Sequence, residues 1–352
     1  MSSRAKIRGT ERVSMFQQIT IQSMTTTKTA NIEATTAQIN SLAKIGCDII
    51  RVAVPDIASA NAIPKIKENI TIPLVADIHF DHKLALRAIE NGADKIRINP
   101  GNIGGSENIK AIAQACNKKK IPIRIGVNSG SLEKEILEKY GEVTAEAMVE
   151  SALYHIKLLN KFDFDNIWLS AKSSNVPLTV KTYRLLHEQT NYPLHLGITE
   201  AGTEYNGIIK SAIGIGTLLL DGIGDTIRVS LTAEPAKEVE AAKAILKALH
   251  LRPGIDIISC PTCGRCNIDI IQIVHEVEKR LDRLIKNNSP HLTPNLTIAI
   301  MGCTVNGPGE AKQADYGIAG GDGEGIIFAK GEIIKKAPME KLVDELMDCV
   351  MK

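Results

Sequence analysis

Eight short β-branched runs punctuate the first two thirds of the chain, at residues 19–22, 48–54, 74–78, 95–99, 121–127, 167–170, 194–198 and 226–230, and this recurrence constrains the fold more than any other feature. Helical periodicity separates most of them: Ile39, Leu42 and Ala43 precede Gly46, and Leu84, Leu86 and Ile89 precede Gly92. Strands that alternate with helices belong to a parallel sheet, because a parallel neighbour is reached only through a crossover. Eight such units predict a closed (β/α)8 barrel of TIM type, which takes about 250 residues. The chain has 352 residues, so the expectation is a barrel domain over residues 1–250 and a smaller module over residues 251–352.

A weak internal repeat sharpens the barrel reading. Gly46-Cys-Asp-Ile-Ile-Arg51-Val, Gly92-Ala-Asp-Lys-Ile-Arg97-Ile and Gly224-Asp-Thr-Ile-Arg228-Val share a helix-ending glycine, an aspartate, and a strand that carries an arginine towards its C-terminal end. Glycine past a helix end accepts the left-handed conformation that closes the helix. In barrels of this type the C-terminal strand ends face the active site. Other polar residues at that rim are Asp77 and His79 after strand three, Asn99 after four, Arg124 and Asn128 on five, Lys172 after six, Thr199 and Glu200 after seven, and Ser230 after eight. One rim arginine would read as a surface ion pair. Arg51, Arg97, Arg124 and Arg228, joined by Lys172 at equivalent ends, instead form a rim built for a small phosphate or diphosphate, since planar guanidinium forks grip phosphate oxygens bidentately. A net charge of only +2 and 3% aromatic residues argue against a nucleic-acid partner, which would want a basic field and stacking platforms.

After a helical segment at 234–250, Pro253-Gly254 marks a boundary, and a strand at 255–258 leads into Cys260-Pro-Thr-Cys263-Gly-Arg-Cys266. A second strand at 296–301 runs into Met301-Gly-Cys303-Thr-Val-Asn-Gly-Pro-Gly-Glu310. Thiols this dense, in a chain whose start lacks a secretory leader, favour soft-metal ligation over disulfides. Zinc would want a second knuckle, which is missing. A bacterial ferredoxin run would place its fourth cysteine at Ile270. Both short intervals here are two residues, unlike the Cys-x3-Cys-x2-Cys of radical enzymes that use S-adenosylmethionine. A cluster with a split ligand set remains: a Cys-x2-Cys loop, a distant cysteine, and one iron left to a carboxylate, a water or a substrate. Cys47, Cys116 and Cys349 stand alone in apolar patterns and read as buried thiols, while Cys266 stays undecided. Ile268, Ile271, Val274, Val277, Leu281 and Leu284 form a core-packing helix stripe, 286–294 a polar loop, and Gly320-Gly-Asp-Gly-Glu-Gly325 a hairpin turn and no nucleotide loop. With no apolar run of membrane-spanning length, a cytoplasmic location is expected.

On these residues the chain resembles the 4-hydroxy-3-methylbut-2-enyl diphosphate synthase family, iron–sulfur enzymes of the non-mevalonate isoprenoid pathway. The likeness spans nearly the whole chain and rests on Ile21-Gln-Ser-Met-Thr25, Arg97-Ile-Asn-Pro-Gly-Asn-Ile-Gly104, Arg124-Ile-Gly-Val-Asn-Ser-Gly130, Ile258-Ser-Cys-Pro-Thr-Cys-Gly264 and the Met301 to Glu310 motif. It implies a barrel followed by a ferredoxin-like, sulfite-reductase-like α+β domain that carries a [4Fe–4S] cluster on Cys260, Cys263 and Cys303, with Glu310 on the fourth iron position. Diphosphate contacts would come from Arg51, Arg97, Arg124, Lys172, Arg228 and Ser230. Asp77, His79, Asn99, Asn128, Thr199 and Glu200 would surround the reacting carbons, with Glu200 handling a proton. The implied reaction is a two-electron reductive ring opening and dehydration of 2-C-methyl-D-erythritol 2,4-cyclodiphosphate, with ferredoxin or flavodoxin as donor, in a homodimer. Two departures stand out. Cys266 is an extra thiol beside the cluster loop, and the short stretch from Arg228 to Pro253 matches the compact bacterial form that lacks the plant-type insertion. A sirohaem reductase and a cluster-carrier protein are the rival readings.

Overall fold

The computed structural model describes residues 18–266, 268–286, 295–303, 309 and 311–351. The chain divides into two compact units, Met1–Arg252 and Pro253–Lys352. In the first, β1 (Thr20–Met24), β2 (Ile49–Ala53), β3 (Leu74–Asp77), β4 (Lys95–Ile98), β5 (Ile123–Asn128), β6 (Ile167–Lys172), β7 (His195–Leu196) and β8 (Thr226–Ile227) form one parallel sheet in the order β6-β5-β4-β3-β2-β1-β8-β7. A parallel bridge between Leu169 on β6 and Leu194, just ahead of β7, joins the two ends into the expected barrel. All eight expected strands are present, but β7 and β8 are shorter than their β-branched runs. Beyond Leu196 the chain leaves the ladder, and the Thr199 N–H bonds the Ser173 carbonyl at 3.3 Å.

The repeat has a structural reason. At the start of three strands its aspartate accepts a backbone N–H from the neighbouring strand: Asp48 from Ile21 at 2.8 Å, Asp94 from Leu74 at 2.6 Å and Asp225 from Leu194 at 2.7 Å. Gly46 and Gly92 end their helices at φ 101° and 90°, where a side chain would be strained. Helix starts carry side-chain caps, such as Asn31 ahead of Ile32–Lys44, Asp56 ahead of Ile57–Lys67 and Asn175 ahead of Val176–Gln189.

Successive strand residues face opposite sides of the sheet, and the two sides differ sharply. Ile96, Ile98, Ile123, Ile125, Val127 and Leu169 are buried in the apolar ring between sheet and helices. Their neighbours Arg97, Arg124, Asn128, Ser170 and Lys172 face the lumen. Barrels of this type normally fill the lumen with Val, Ile and Leu. Here the core is the outer ring and the lumen is polar. Near the first residues of the strands, Lys95 Nζ stands 3.4 Å over the Trp168 ring.

In the second unit β9 (Asp256–Ser259), β10 (Thr297–Met301), β11 (Tyr316–Ala319), β12 (Glu324–Ala329) and β13 (Glu332–Pro338) form a sheet in the order β13-β12-β11-β10-β9. β9, β10 and β11 run parallel, and β12 and β13 are added antiparallel. The hairpin expected at residues 320–325 joins β11 to β12. Ile270, Val277 and Leu281 of the helix Ile270–Lys286, with Leu342 and Leu346 of the helix Leu342–Val350, pack onto Ile298, Ile300 and Ile318. Ala311 and Ala314 pack with Ala299, Met301 and Phe328 in a second cluster. Ile271, expected in the apolar stripe, is 61% exposed, because the stripe is carried by Ile270 one residue earlier. Cys47 and Cys116 are buried as expected, whereas Cys349 is only half-buried. Most of the polar loop expected at 286–294 lies outside the described residues. No helix among the described residues is long and apolar enough to cross a membrane.

Candidate active site

A cavity of about 270 Å³ opens where the barrel strands end. Its walls include Arg51, Arg97, Arg124, Lys172 and Arg228, the five rim cations expected from strand ends. Asp77, His79, Asn128, Thr199 and Ser230, also expected, line it too. Met24, Ser170 and His195 complete the lining and were not anticipated.

Asp77 is the hub. Its carboxylate accepts from Arg97 Nη1 at 3.1 Å and lies 3.7 Å from Arg51 Nε and 3.6 Å from His79 Nε2. Burial alone would raise its pKa, but Arg51, the nearby His79 ring and Arg97 outweigh it and hold the carboxyl far below the usual range. Arg97 reaches Asp77 across Gly126, the β5 residue whose missing side chain leaves room for the guanidinium. Arg124, only 2% exposed, donates to Gln22 Oε1 at 2.8 Å. Arg51 rests on the Met24 sulfur, with Nη2 at 3.0 Å. Arg228 meets Glu238 at 3.5 Å, and the same carboxylate accepts from Ser23 Oγ and from the Leu231 N–H. Glu238 comes from the helix Pro235–Ala248, outside the lumen.

Five cations thus face two carboxylates, Asp77 and Glu238. Burial, then mutual repulsion, pushes Lys172 and Arg124 well below their ordinary pKa values, and Arg51 falls to about 9, chiefly through burial. His195 is buried, with Nδ1 bonded to Thr226 Oγ1, and burial plus the charges of Lys172 and Arg124 keep its imidazole neutral. An anion with several oxygens is the ligand such a cavity accommodates best: every wall offers donors, and added negative charge relieves the repulsion among them.

Two expected residues do not line the cavity. Asn99 is buried beside it, and its Oδ1 accepts the Gly101 N–H at 3.1 Å, which shapes the turn after β4. Glu200 is exposed and holds a left-handed backbone, φ 51°, in the loop after β7. A non-glycine residue there is uncommon and marks a constrained loop.

In the second unit Cys260 follows β9 and Cys303 follows β10, and these parallel neighbours pair Ser259 with Ile300. The Gly302 N–H donates to Cys260 Sγ at 3.1 Å. Cys266 Sγ fills the space a Cβ on Gly302 would need, and Cys260 Sγ lies 3.6 Å from that same point. Cys266 Sγ also donates to the Ile268 carbonyl at 3.2 Å. Cys263 is exposed, and backbone and side-chain hydrogen bonds from Arg265 lower its thiol pKa. Among the described residues no three ligand-type side chains gather at metal-holding distance, and Glu310 lies outside the described residues. The donor chemistry still fits a thiolate-held iron–sulfur group: thiols at adjacent parallel strand ends, with a backbone N–H aimed at sulfur.

A family model described as the GcpE TIM-barrel domain matches residues 5–243, and one described as the GcpE protein C-terminal domain matches residues 256–352. A relative from Clostridium perfringens is 58% identical over 333 residues, which cover 94% of this chain and 93% of the relative. One from Caldicellulosiruptor saccharolyticus is 60% identical over 329 residues, covering 94% and 92%. Both bear the name 4-hydroxy-3-methylbut-2-en-1-yl diphosphate synthase (flavodoxin).

Proposed function

The chain belongs to the GcpE family, and from that premise we propose that it converts 2-C-methyl-D-erythritol 2,4-cyclodiphosphate to 4-hydroxy-3-methylbut-2-enyl diphosphate. It is an oxidoreductase of the non-mevalonate isoprenoid pathway, with flavodoxin, the donor in its relatives' names, as electron source. The observation that carries this reading is the cavity in which four arginines and Lys172 gather around Asp77, with Glu238 behind Arg228 as the second carboxylate. A cyclic diphosphate matches it in size and charge.

In this reading Arg51, Arg97, Arg124, Lys172, Arg228 and Ser230 hold the diphosphate and fix the ring in place. Fixing the ring lowers the barrier, because orientation no longer has to be found during reaction. The same cations stabilise charge that builds on oxygen as the ring opens, and their hydrogen bonds within the site keep them aimed beforehand. Asp77 neutralises part of the cation cluster and orients Arg97, Arg51 and His79 towards the ligand. Asn128 and Thr199 stand near the ring carbons, Asn99 holds the turn behind them, and Glu200, from the loop after β7, supplies a proton to the departing hydroxyl so that it leaves as water. Cys260, Cys263, Cys303 and Glu310 would hold a [4Fe–4S] cluster, which when bound would pass on, one at a time, the two electrons that flavodoxin supplies. The active form is a homodimer in this reading.

Protein reconstituted anaerobically with iron and sulfide, then supplied with the cyclic diphosphate and dithionite, should yield the alkenyl diphosphate, read by phosphorus NMR. Absence of both product and calorimetric binding of the cyclic diphosphate would overturn the reading.

A further inference from the structure

One polar cluster lies outside the cavity and belongs to no part of the chemistry above. His155, on the helix Ala145–Asn160, is fully buried, and its Nε2 lies 2.5 Å from Oε1 of Glu133. Burial would raise the Glu133 pKa, but hydrogen bonding from His155, Ser151 and the Glu133 backbone together outweighs it and holds the carboxyl below its ordinary range. A buried polar pair does little for stability against an apolar alternative, since desolvation consumes most of its attraction. Its position is more telling. Glu133 ends the loop that follows β5, five residues after Asn128, which lines the cavity. Against the pair lies Gly101, in the turn that Asn99 shapes after β4: a Cβ on Gly101 would come 3.0 Å from Glu133 Oε1 and 3.4 Å from His155 Cε1. The pair therefore touches the β4 loop, belongs to the β5 loop, and ties both to an outer helix.

We propose that Glu133 and His155 are positioning residues that lock the loops after β4 and β5, so that Asn128, backed by the turn that Asn99 shapes, meets the carbon part of the ligand in one fixed arrangement. The five cations stand on strands or at strand ends and do not depend on this brace. The inference rests on the cyclic diphosphate reading of the cavity. It separates two ligand contributions: phosphate gripped by cations, and carbon skeleton read by braced loops.

The test compares inorganic pyrophosphate with the cyclic diphosphate by calorimetry on the reconstituted protein, with kcat and KM for the latter. Gly101→Ala, which presses a methyl group onto the pair, and Glu133→Ala, which removes one member, should leave pyrophosphate affinity unchanged. Both should weaken cyclic diphosphate binding by ~10-fold or more and lower kcat, the scale expected when a reacting group is misplaced by a fraction of an ångström. Glu133→Gln keeps an acceptor for His155 and should retain most of the wild-type affinity. Equal weakening of both ligands would reveal a merely structural role and overturn the proposal, as would unchanged cyclic diphosphate binding in Gly101→Ala and Glu133→Ala. If the wild type binds pyrophosphate but not the cyclic diphosphate, the functional reading itself fails, and this inference with it.

Discussion

Gly126→Ala probes the cavity where its fit is tightest. Gly126 faces the lumen from β5, and a Cβ there would come within 2.7 Å of Arg97 Nη2 and 2.9 Å of Arg97 Cζ, closer than real Cβ atoms approach their neighbours. The Gly126 backbone is not left-handed, so alanine is adopted without strain and even gains about 0.5–1 kcal/mol in a strand interior. The conflict therefore falls on the guanidinium. Arg97 must swing away, losing its 3.1 Å bond to Asp77 and its place 3.4 Å from His79. If that guanidinium grips a diphosphate oxygen, the variant loses one charge-assisted hydrogen bond, worth about 1.5–3 kcal/mol, or a rise of ~10- to 150-fold in Kd. Calorimetry with the cyclic diphosphate measures it, and a thermal melt checks that the barrel is intact. A Kd within ~2-fold of wild type, about 0.4 kcal/mol, in a protein that melts normally would refute the assignment of Arg97 to the ligand.

Iron and sulfide content after anaerobic reconstitution should collapse in Cys260→Ser, Cys263→Ser and Cys303→Ser and hold in Cys266→Ser; loss in Cys266→Ser with retention in Cys263→Ser would make Cys266 the ligand. Asp77 has a folded pKa far below the unfolded value of about 3.9, so its stabilisation is complete above that pH and is lost as the pH falls below it. The urea midpoint of the wild type should therefore drop more steeply on acidification than that of Asp77→Asn, and parallel curves would show that the ion cluster around Asp77 adds nothing to stability.

Strand positions were legible because β-branched runs and helix-ending glycines mark each βα unit locally. Even the repeat aspartates, whose role is to accept a neighbouring strand's N–H, were visible as a pattern before their purpose was. The helix after the cysteine loop is legible, and Ile268, Val274, Val277, Leu281 and Leu284 pack as expected; Ile271 alone faces out, since Ile270 and Ile271 are chemically alike and the helix start decides which of them turns inward. Glu238 and Gln22 could not be foreseen. Glu238 reaches Arg228 from an outer helix, and Gln22 meets Arg124 from 102 residues away in sequence. The first depends on how that helix packs back against the end of β8 and the second on barrel closure, and no local signal encodes either. The contact of Cys266 with Gly302 is equally non-local, because it joins two loops at the ends of adjacent strands of the second sheet.

Met24, Ser170 and His195 could have been found. In Lys95-Ile-Arg-Ile and Ile123-Arg-Ile-Gly-Val-Asn128 the odd and even positions separate into apolar and polar sets, and a strand buried on both faces shows that split only when its lumen is polar. Carrying the same parity to β1, β6 and β7 selects Met24, Ser170 and His195 beside the known cations. The parity also says where stability comes from. A lumen of five cations and few carboxylates costs desolvation and repulsion, so cohesion must lie in the outer apolar ring and in Asp48, Asp94 and Asp225, which bind neighbouring strands at the end away from the cavity. Binding chemistry and cohesion thus occupy opposite faces and opposite ends of the same strands, and Lys172, a rim cation with no carboxylate at ion-pair distance among the described residues, can be exchanged for a neutral residue with loss of ligand affinity but little loss of fold, whereas Arg97, paired with buried Asp77, cannot.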